Sequence, residues 1–179
     1  MQRQSELQNW LHSLYPDRPF ELAFAAADAD FRRYFRATFS DGQTVICMDA
    51  PPDKMSIAPY LKVQKLFSML NVPQVYHADE TLGFAALSDL GSTTYLAAMQ
   101  HDGSGAAHKA LLLEAIDELI VLQKASRPDV LPPYDREVML REINLFPDWF
   151  AAKELGKPFN FKQKQLWQQV VDVLLPPLL

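Results

Sequence analysis

The sequence predicts an α+β fold: a small antiparallel five-stranded sheet with one crossover helix, followed by an all-helical remainder. Three observations carry this. Residues 20–50 contain runs of apolar, aromatic and β-branched residues separated by turn-forming residues, as in "FRRYFRATFSDGQTVICMDAPP". Two more short runs of strand character, "VPQVYHA" and "LGFAALSD", lie beyond a single stretch of helical periodicity. From Gly91 onward the apolar residues recur at helical spacing and strand-like alternation ceases.

Leu7, Trp10, Leu11 and Leu14 share one helical face, so residues 5–15 read as an amphipathic helix with Ser5 as its N-cap. "YPDRP" ends it, and strands follow at about 20–26 and 31–39. "SDGQ" supplies a tight turn, because Asp-Gly accepts positive φ. The return strand, 44–50, stops at Pro51-Pro52, since proline cannot donate to a ladder. A helix over about 58–70 presents Leu61, Leu66, Phe67 and Leu70, and the two remaining strands follow it. In the helical remainder, "STTYLAAMQ" starts a short helix capped by Ser92 or Thr93. Residues 106–125 form a long one, apolar enough around Leu111–Leu113, Ile116, Leu119, Ile120 and Leu122 to predict burial. "YDREVMLREINLFPDWF" reads as a helix up to Pro147, and the last helix spans about 161–175. The sequence finishes on "VVDVLLPPLL", which reads either as a strap docked on the core or as a surface left bare for further chain.

Composition narrows the function classes. The chain has 179 residues, 49% hydrophobic and 22% charged, with a formal net charge of −5. Its basic residues are scattered apart from "FRRYFR", which argues against a nucleic-acid face. Six glycines leave little material for Gly-rich loops. The single Cys47 excludes an internal disulfide and a cysteine metal cluster, and points to a reducing compartment. His12, His77, His101 and His108 lack paired ligand spacing, so no metal site is expected. Neither a signal peptide nor a membrane-length apolar run is evident, so a cytoplasmic protein without membrane contact is expected.

The hairpin holds the most pointed question. With Asp41-Gly42 as the two central turn residues, Asp49 falls opposite Tyr34 and diagonal to Arg32 and Arg36. Phe35, Ala37, Ile46 and Met48 then share the other, apolar face, which serves either as core or as a lid over a purine ring. Two readings of Asp49 stay open: a cross-strand ion pair, worth at most about 1 kcal/mol if exposed, or a carboxylate that orients arginines towards phosphates.

The segments "ADADFRRYFRATFSDGQTVICMDAPP", "GFAALSDLGSTTYL" and "REINLFPDWF" resemble bacterial phosphotransferases of the aminoglycoside-phosphotransferase and choline-kinase type. The nearest subgroup is the cell-wall sugar kinases that phosphorylate N-acetylmuramate and N-acetylglucosamine at the anomeric carbon. The resemblance implies a protein-kinase-like fold, with residues 1–88 as the N-lobe, 89–92 as the hinge, and 93–179 as the first helices of an incomplete C-lobe. It implies ATP as the nucleotide, with Mg²⁺ bound in an intact parent, and a small sugar as acceptor. Asp28, Ala29, Asp30, Arg32 and Arg33 would replace the Gly-rich loop over the phosphates. Met48 or Asp49 would take the place of the usual strand lysine, and Leu87, Asp89 and Leu90 would frame the adenine.

The sequence departs from that pattern in three places. The loop has no glycine. The helix over 58–70 offers Lys62 and Lys65 where a glutamate is usual, implying a reversed ion pair with Asp49. The "HxDxxxxN" catalytic loop is missing: "HAD" at His77–Asp79 has Phe84 where the asparagine should stand, and "DLG" at Asp89–Gly91 precedes the helices that should carry it. The expected function is therefore the nucleotide-binding portion of an amino-sugar kinase, inactive alone and without assignable catalytic residues. Two rivals are a non-catalytic binding domain that recruits a partner, or a second copy, through its apolar C-terminal surface, and a kinase of another small alcohol or an aminoglycoside.

Overall fold

The structure, a computed structural model, describes residues 2–28, 30–101 and 104–178. Among them the order is α1 (Gln2–Leu14), β1 (Phe20–Ala27), β2 (Arg33–Phe39), β3 (Thr44–Asp49), α2 (Ala58–Leu66), β4 (Val75–Asp79), β5 (Phe84–Ser88), α3 (Tyr95–His101), α4 (Gly105–Ala125), α5 (Arg136–Ile143) and α6 (Phe161–Leu174). The fold is thus α+β, and the five strands form one antiparallel sheet in the order β1-β2-β3-β5-β4. The helix between β3 and β4 carries the chain over the sheet, as expected. The chain divides into two compact units, Met1–Ser126 and Arg127–Leu179.

In the first unit, α1 begins earlier than the apolar spacing implied, so Ser5 lies inside the helix and does not cap it. Leu7 and Leu11 are fully buried against one sheet face, together with Phe35, Ala37, Phe39, Val45, Cys47, Phe84 and Ala86. The opposite face gathers Met48, Ala50, Ile57, Ala85 and Leu87, with Tyr34, Ile46, Tyr60 and Leu61 packed against them. Both faces of the central strands are therefore covered, and each fully buried Leu, Ile, Phe or Met among these side chains adds roughly 1.5–3 kcal/mol.

The β2–β3 hairpin corrects the expected register. Its loop has three residues, Ser40-Asp41-Gly42: the Phe39 amide donates to the Gln43 carbonyl at 2.9 Å, and the Gly42 amide donates to the Phe39 carbonyl at 2.9 Å. Gly42 takes φ +81°, the left-handed bulge position of such loops, and Asp41 accepts from the Gln43 amide at 3.0 Å. One extra loop residue shifts every pair and exchanges the faces. Asp49 now faces Arg33, Tyr34 faces Met48, and Arg36 faces Ile46. Phe35 and Ala37 belong to the α1 side, while Ile46 and Met48 belong to the α2 side.

The β4–β5 turn is pressed against the end of β3. Gly83 has φ +70°, and a Cβ there would stand 1.9 Å from the Ala50 carbonyl oxygen. The Ala50 amide in turn donates to the Gly83 carbonyl at 2.8 Å.

Two helices also differ from expectation. α2 ends at Leu66, before the pre-proline Val72 that favours extended backbone. α4, capped by Ser104, buries no residue: Leu112, Leu113, Ile116 and Leu119 are each about half exposed (49–53%). The burial expected from its apolar composition is not seen among the described residues.

In the second unit, Asp135 caps α5. A π-helical segment, Phe146–Glu154, then carries Pro147 in its first turn, where the missing N–H is tolerated. That segment continues past the proline at which a stop was expected. Phe146 stacks on Phe150 and on Trp167 of α6, and the Trp167 indole donates to the Asn144 side chain at 2.9 Å. An Asn160–Gln163 capping box starts α6. Val171 and Leu175 are buried, whereas Val173 and Leu178 are 74% and 66% exposed.

Candidate functional site

The residues singled out by sequence fall into three groups, on different parts of the first unit. The first centres on Asp49. Strand alternation aims it at the α1 side, where it is fully buried. Arg33, its cross-strand partner, donates to one carboxylate oxygen at 2.5 Å. Arg3 of α1 donates to the other from Nε at 3.1 Å and Nη2 at 2.5 Å. Arg3 also reaches the Leu82 carbonyl at 2.8 Å and lies 4.4 Å over the Phe84 ring.

Asp49 is therefore a buried carboxylate held by two arginines, and neither is the expected Arg32 or Arg36. A cross-strand ion pair is present, with Arg33 as the partner, but its carboxylate is buried and not exposed. The reversed ion pair is overturned, since Lys62 and Lys65 are exposed on α2 at the other face of the sheet. Arg3 escaped notice although its signal was present: residues 3, 7 and 11 lie on one helical stripe, so an arginine heads the row that buries Leu7 and Leu11.

The second group is the loop between β1 and β2. The Asp28 amide donates to the Arg32 carbonyl at 3.1 Å, which closes the turn and delays β2 to Arg33. Arg32 bonds the Asp30 carboxylate through its amide (2.8 Å) and Nε (3.0 Å), and its Nη2 stands 3.0 Å from Asp28. The Arg32 amide holds the Asp30 carboxyl below its usual range, with the side-chain bond adding to the effect. Tyr34 donates its hydroxyl to Asp28 at 3.2 Å, and burial, reinforced by Asp28, pushes that phenol up to about 12. Ala29 lies outside the described residues.

The third group sits where β5 hands over to the helices. Asp89, with its side chain 7% exposed, receives Arg36 in a bidentate pair, Nε at 2.6 Å and Nη2 at 3.1 Å. Its Oδ1 accepts the Gly91 amide at 2.8 Å, and Arg36 also donates to the Gly91 carbonyl at 3.2 Å. The Arg36 fork holds the Asp89 carboxyl at about 2, aided by the Gly91 amide and the Thr44 hydroxyl. Leu87 is 2% exposed and serves as core, whereas Leu90 is 56% exposed beside the clamp. Met48 is fully buried on the same face as Leu87. The sheet thus separates Met48 from Asp49: one points to α2, the other to α1.

Elsewhere, Cys47 is buried and its thiol is pushed up to about 12 by desolvation, a poor nucleophile. Among the described residues no three His, Cys, Asp or Glu side chains gather as metal ligands, and no helix is long and apolar enough to cross a membrane.

No family profile matches the chain. The whole chain is 73% identical to a protein of Neisseria meningitidis serogroup B named N-acetylmuramate/N-acetylglucosamine kinase, covering 54% of that protein. Proteins of the same name from Pseudomonas aeruginosa and Pseudomonas putida are 37% and 34% identical over 97% and 94% of the chain, with 53% and 51% of their own lengths covered. The chain spans about half the length of the curated relatives it matches.

Proposed function

We propose that this chain is the nucleotide-binding portion of an ATP-dependent amino-sugar phosphotransferase with a kinase-like fold. The observation that carries the reading is the 73% identity, across all 179 residues, to a protein named as a sugar kinase. The antiparallel five-stranded sheet with its crossover helix supports residues 1–88 as an N-lobe, 89–92 as the hinge, and 93–179 as the start of a helical lobe. In the intact parent, the γ-phosphoryl group of ATP passes to a hydroxyl of N-acetylmuramate or N-acetylglucosamine.

Arg32 is the residue of the loop best suited to phosphate, because its fork is already engaged with two carboxylates that an anion can replace. The connection after Leu87 offers backbone groups for the purine edge, and Leu90 offers an apolar contact. Arg33 is committed to Asp49 and plays a structural part. The donor set does not fit a magnesium ion, because Asp28 and Asp30 are both engaged with Arg32. Metal and catalytic base are assigned to the remainder of the parent. Calorimetric titration of the chain with ATP tests the site: weak binding, equal with and without Mg²⁺, is expected, and undetectable binding overturns it. The chain extended to the length of its relatives is expected to phosphorylate either amino sugar.

The exposed apolar side chains of the C-terminal segment, Val173, Leu174 and Leu178, favour a second reading, a non-catalytic module that docks a partner or a second copy there. Failure of the extended chain to phosphorylate any small alcohol, with stable self-association of the present chain, supports that reading over the first.

A further inference from the structure

We infer that Arg36 and Asp89 are positioning residues that hold the exit of β5 in one conformation, so that its peptide groups meet a purine edge preformed. This deepens the proposed function and rests on it. Arg36 sits on β2, and Asp89 follows β5, two strands away across β3. To make the bond, the guanidinium passes over β3 and meets a carboxylate that is almost fully enclosed.

The pair encircles a three-residue turn. Asp89 takes the Gly91 amide while Arg36 takes the Gly91 carbonyl, so both polar groups of one peptide residue are bound by the two halves of one ion pair. Gly91 has φ +91°, a conformation side-chain-bearing residues rarely adopt. A Cβ there would meet nothing within 4 Å, so the clamp selects glycine for its backbone and not for space. On the strand side, Ser88 is fixed by exchange with Gln74: its amide donates to the Gln74 carbonyl and its hydroxyl accepts the Gln74 amide, both at 2.8 Å.

The segment Ser88–Gly91 is therefore tied at both ends while Leu90 remains exposed between them. A connection that existed only to join two elements would need none of this. Fixing peptide groups before a ligand arrives removes the ordering cost from binding, which raises affinity without adding a contact. The bidentate geometry suits arginine at position 36, since its planar fork meets both Asp89 oxygens while still reaching the Gly91 carbonyl, whereas an ammonium presents all its donors from a single nitrogen.

The test uses the chain with Arg36→Gln and Arg36→Lys, followed by amide hydrogen exchange and by ATP calorimetry well below the unfolding temperature. Exchange of the Gly91 amide is expected to accelerate at least tenfold in Arg36→Gln, with the amides of Ala37 and Cys47 unchanged. ATP affinity is expected to fall about tenfold, and Arg36→Lys to lie between the two. Unchanged Gly91 exchange overturns the clamp. Accelerated exchange with unchanged ATP affinity overturns its positioning role. If the unsubstituted chain binds no ATP, the nucleotide reading itself fails, while the exchange data still decide the clamp.

Discussion

At the scale of single residues, Asp49 shows how much depends on which partner is lost. Burying a carboxylate costs several kcal/mol, and two guanidiniums offset that cost here. Removing both, as in Arg3→Ala with Arg33→Ala, leaves a charge in the core and is expected to cost about 3–5 kcal/mol. Asp49→Leu is expected to cost less, because Arg3 and Arg33 are 26% and 41% exposed and can turn to water. Urea denaturation of both variants measures the order; a more damaging Asp49→Leu contradicts the account. Asp89 sets a different dependence. Its carboxyl titrates at about 2, below the ordinary 3.8, so the ionised form is favoured by folding. The stability it contributes is complete above about pH 4 and is lost as pH falls through 2. The urea midpoint is expected to decline across that window, and to decline less in Arg36→Gln. Much of this was legible in the sequence only as residue types. Asp49 and Arg33 stand out in "FRRYFR…MDAPP", yet their pairing hangs on one loop residue, and Arg3 lies 46 positions from its partner.

At the scale of elements, the strands were legible because alternation and Pro or Gly punctuation are local signals. The hairpin register was not, because Asp-Gly fits both a two-residue loop and the end of a three-residue one. Gly42→Ala, which forces an L-residue to φ +81°, is expected to cost about 1 kcal/mol. Gly83→Ala should be far worse: with the Ala50 carbonyl 1.9 Å from the new Cβ, the turn or the end of β3 must move. Thermal unfolding of the two variants separates backbone strain alone from strain plus collision. The long helix α4 misled for the opposite reason. Composition says what a helix would prefer to touch, and its exposed Leu112, Ile116 and Leu119 show only that nothing described here covers them.

At the scale of the whole molecule, the apolar side chains left open on the C-terminal segment, Val173 and Leu178 among them, are expected to make the chain associate. Sedimentation velocity should show concentration-dependent growth, and Val173→Asp with Leu178→Asp should reduce it. Monomer behaviour at every concentration would argue against the C-terminal surface as a docking face. The α+β class, the sheet and the crossover helix were readable from sequence; at the unit boundary near Ser126 the three prolines of "SRPDVLPP" mark a connection, but helical periodicity on both sides of it hides that two units meet there. The bridge from Arg3 to Asp49 and the Leu82 carbonyl also bears on how the chain is made. A ribosome releases α1 before the sheet, and the groups that hold it follow 46 and 79 residues later. A helix that precedes its sheet in the chain is then fastened to it only after the sheet is made. Until β5 appears, Leu7 and Leu11 have no finished surface to lie on, and the nascent chain carries an exposed greasy stripe that a chaperone can hold.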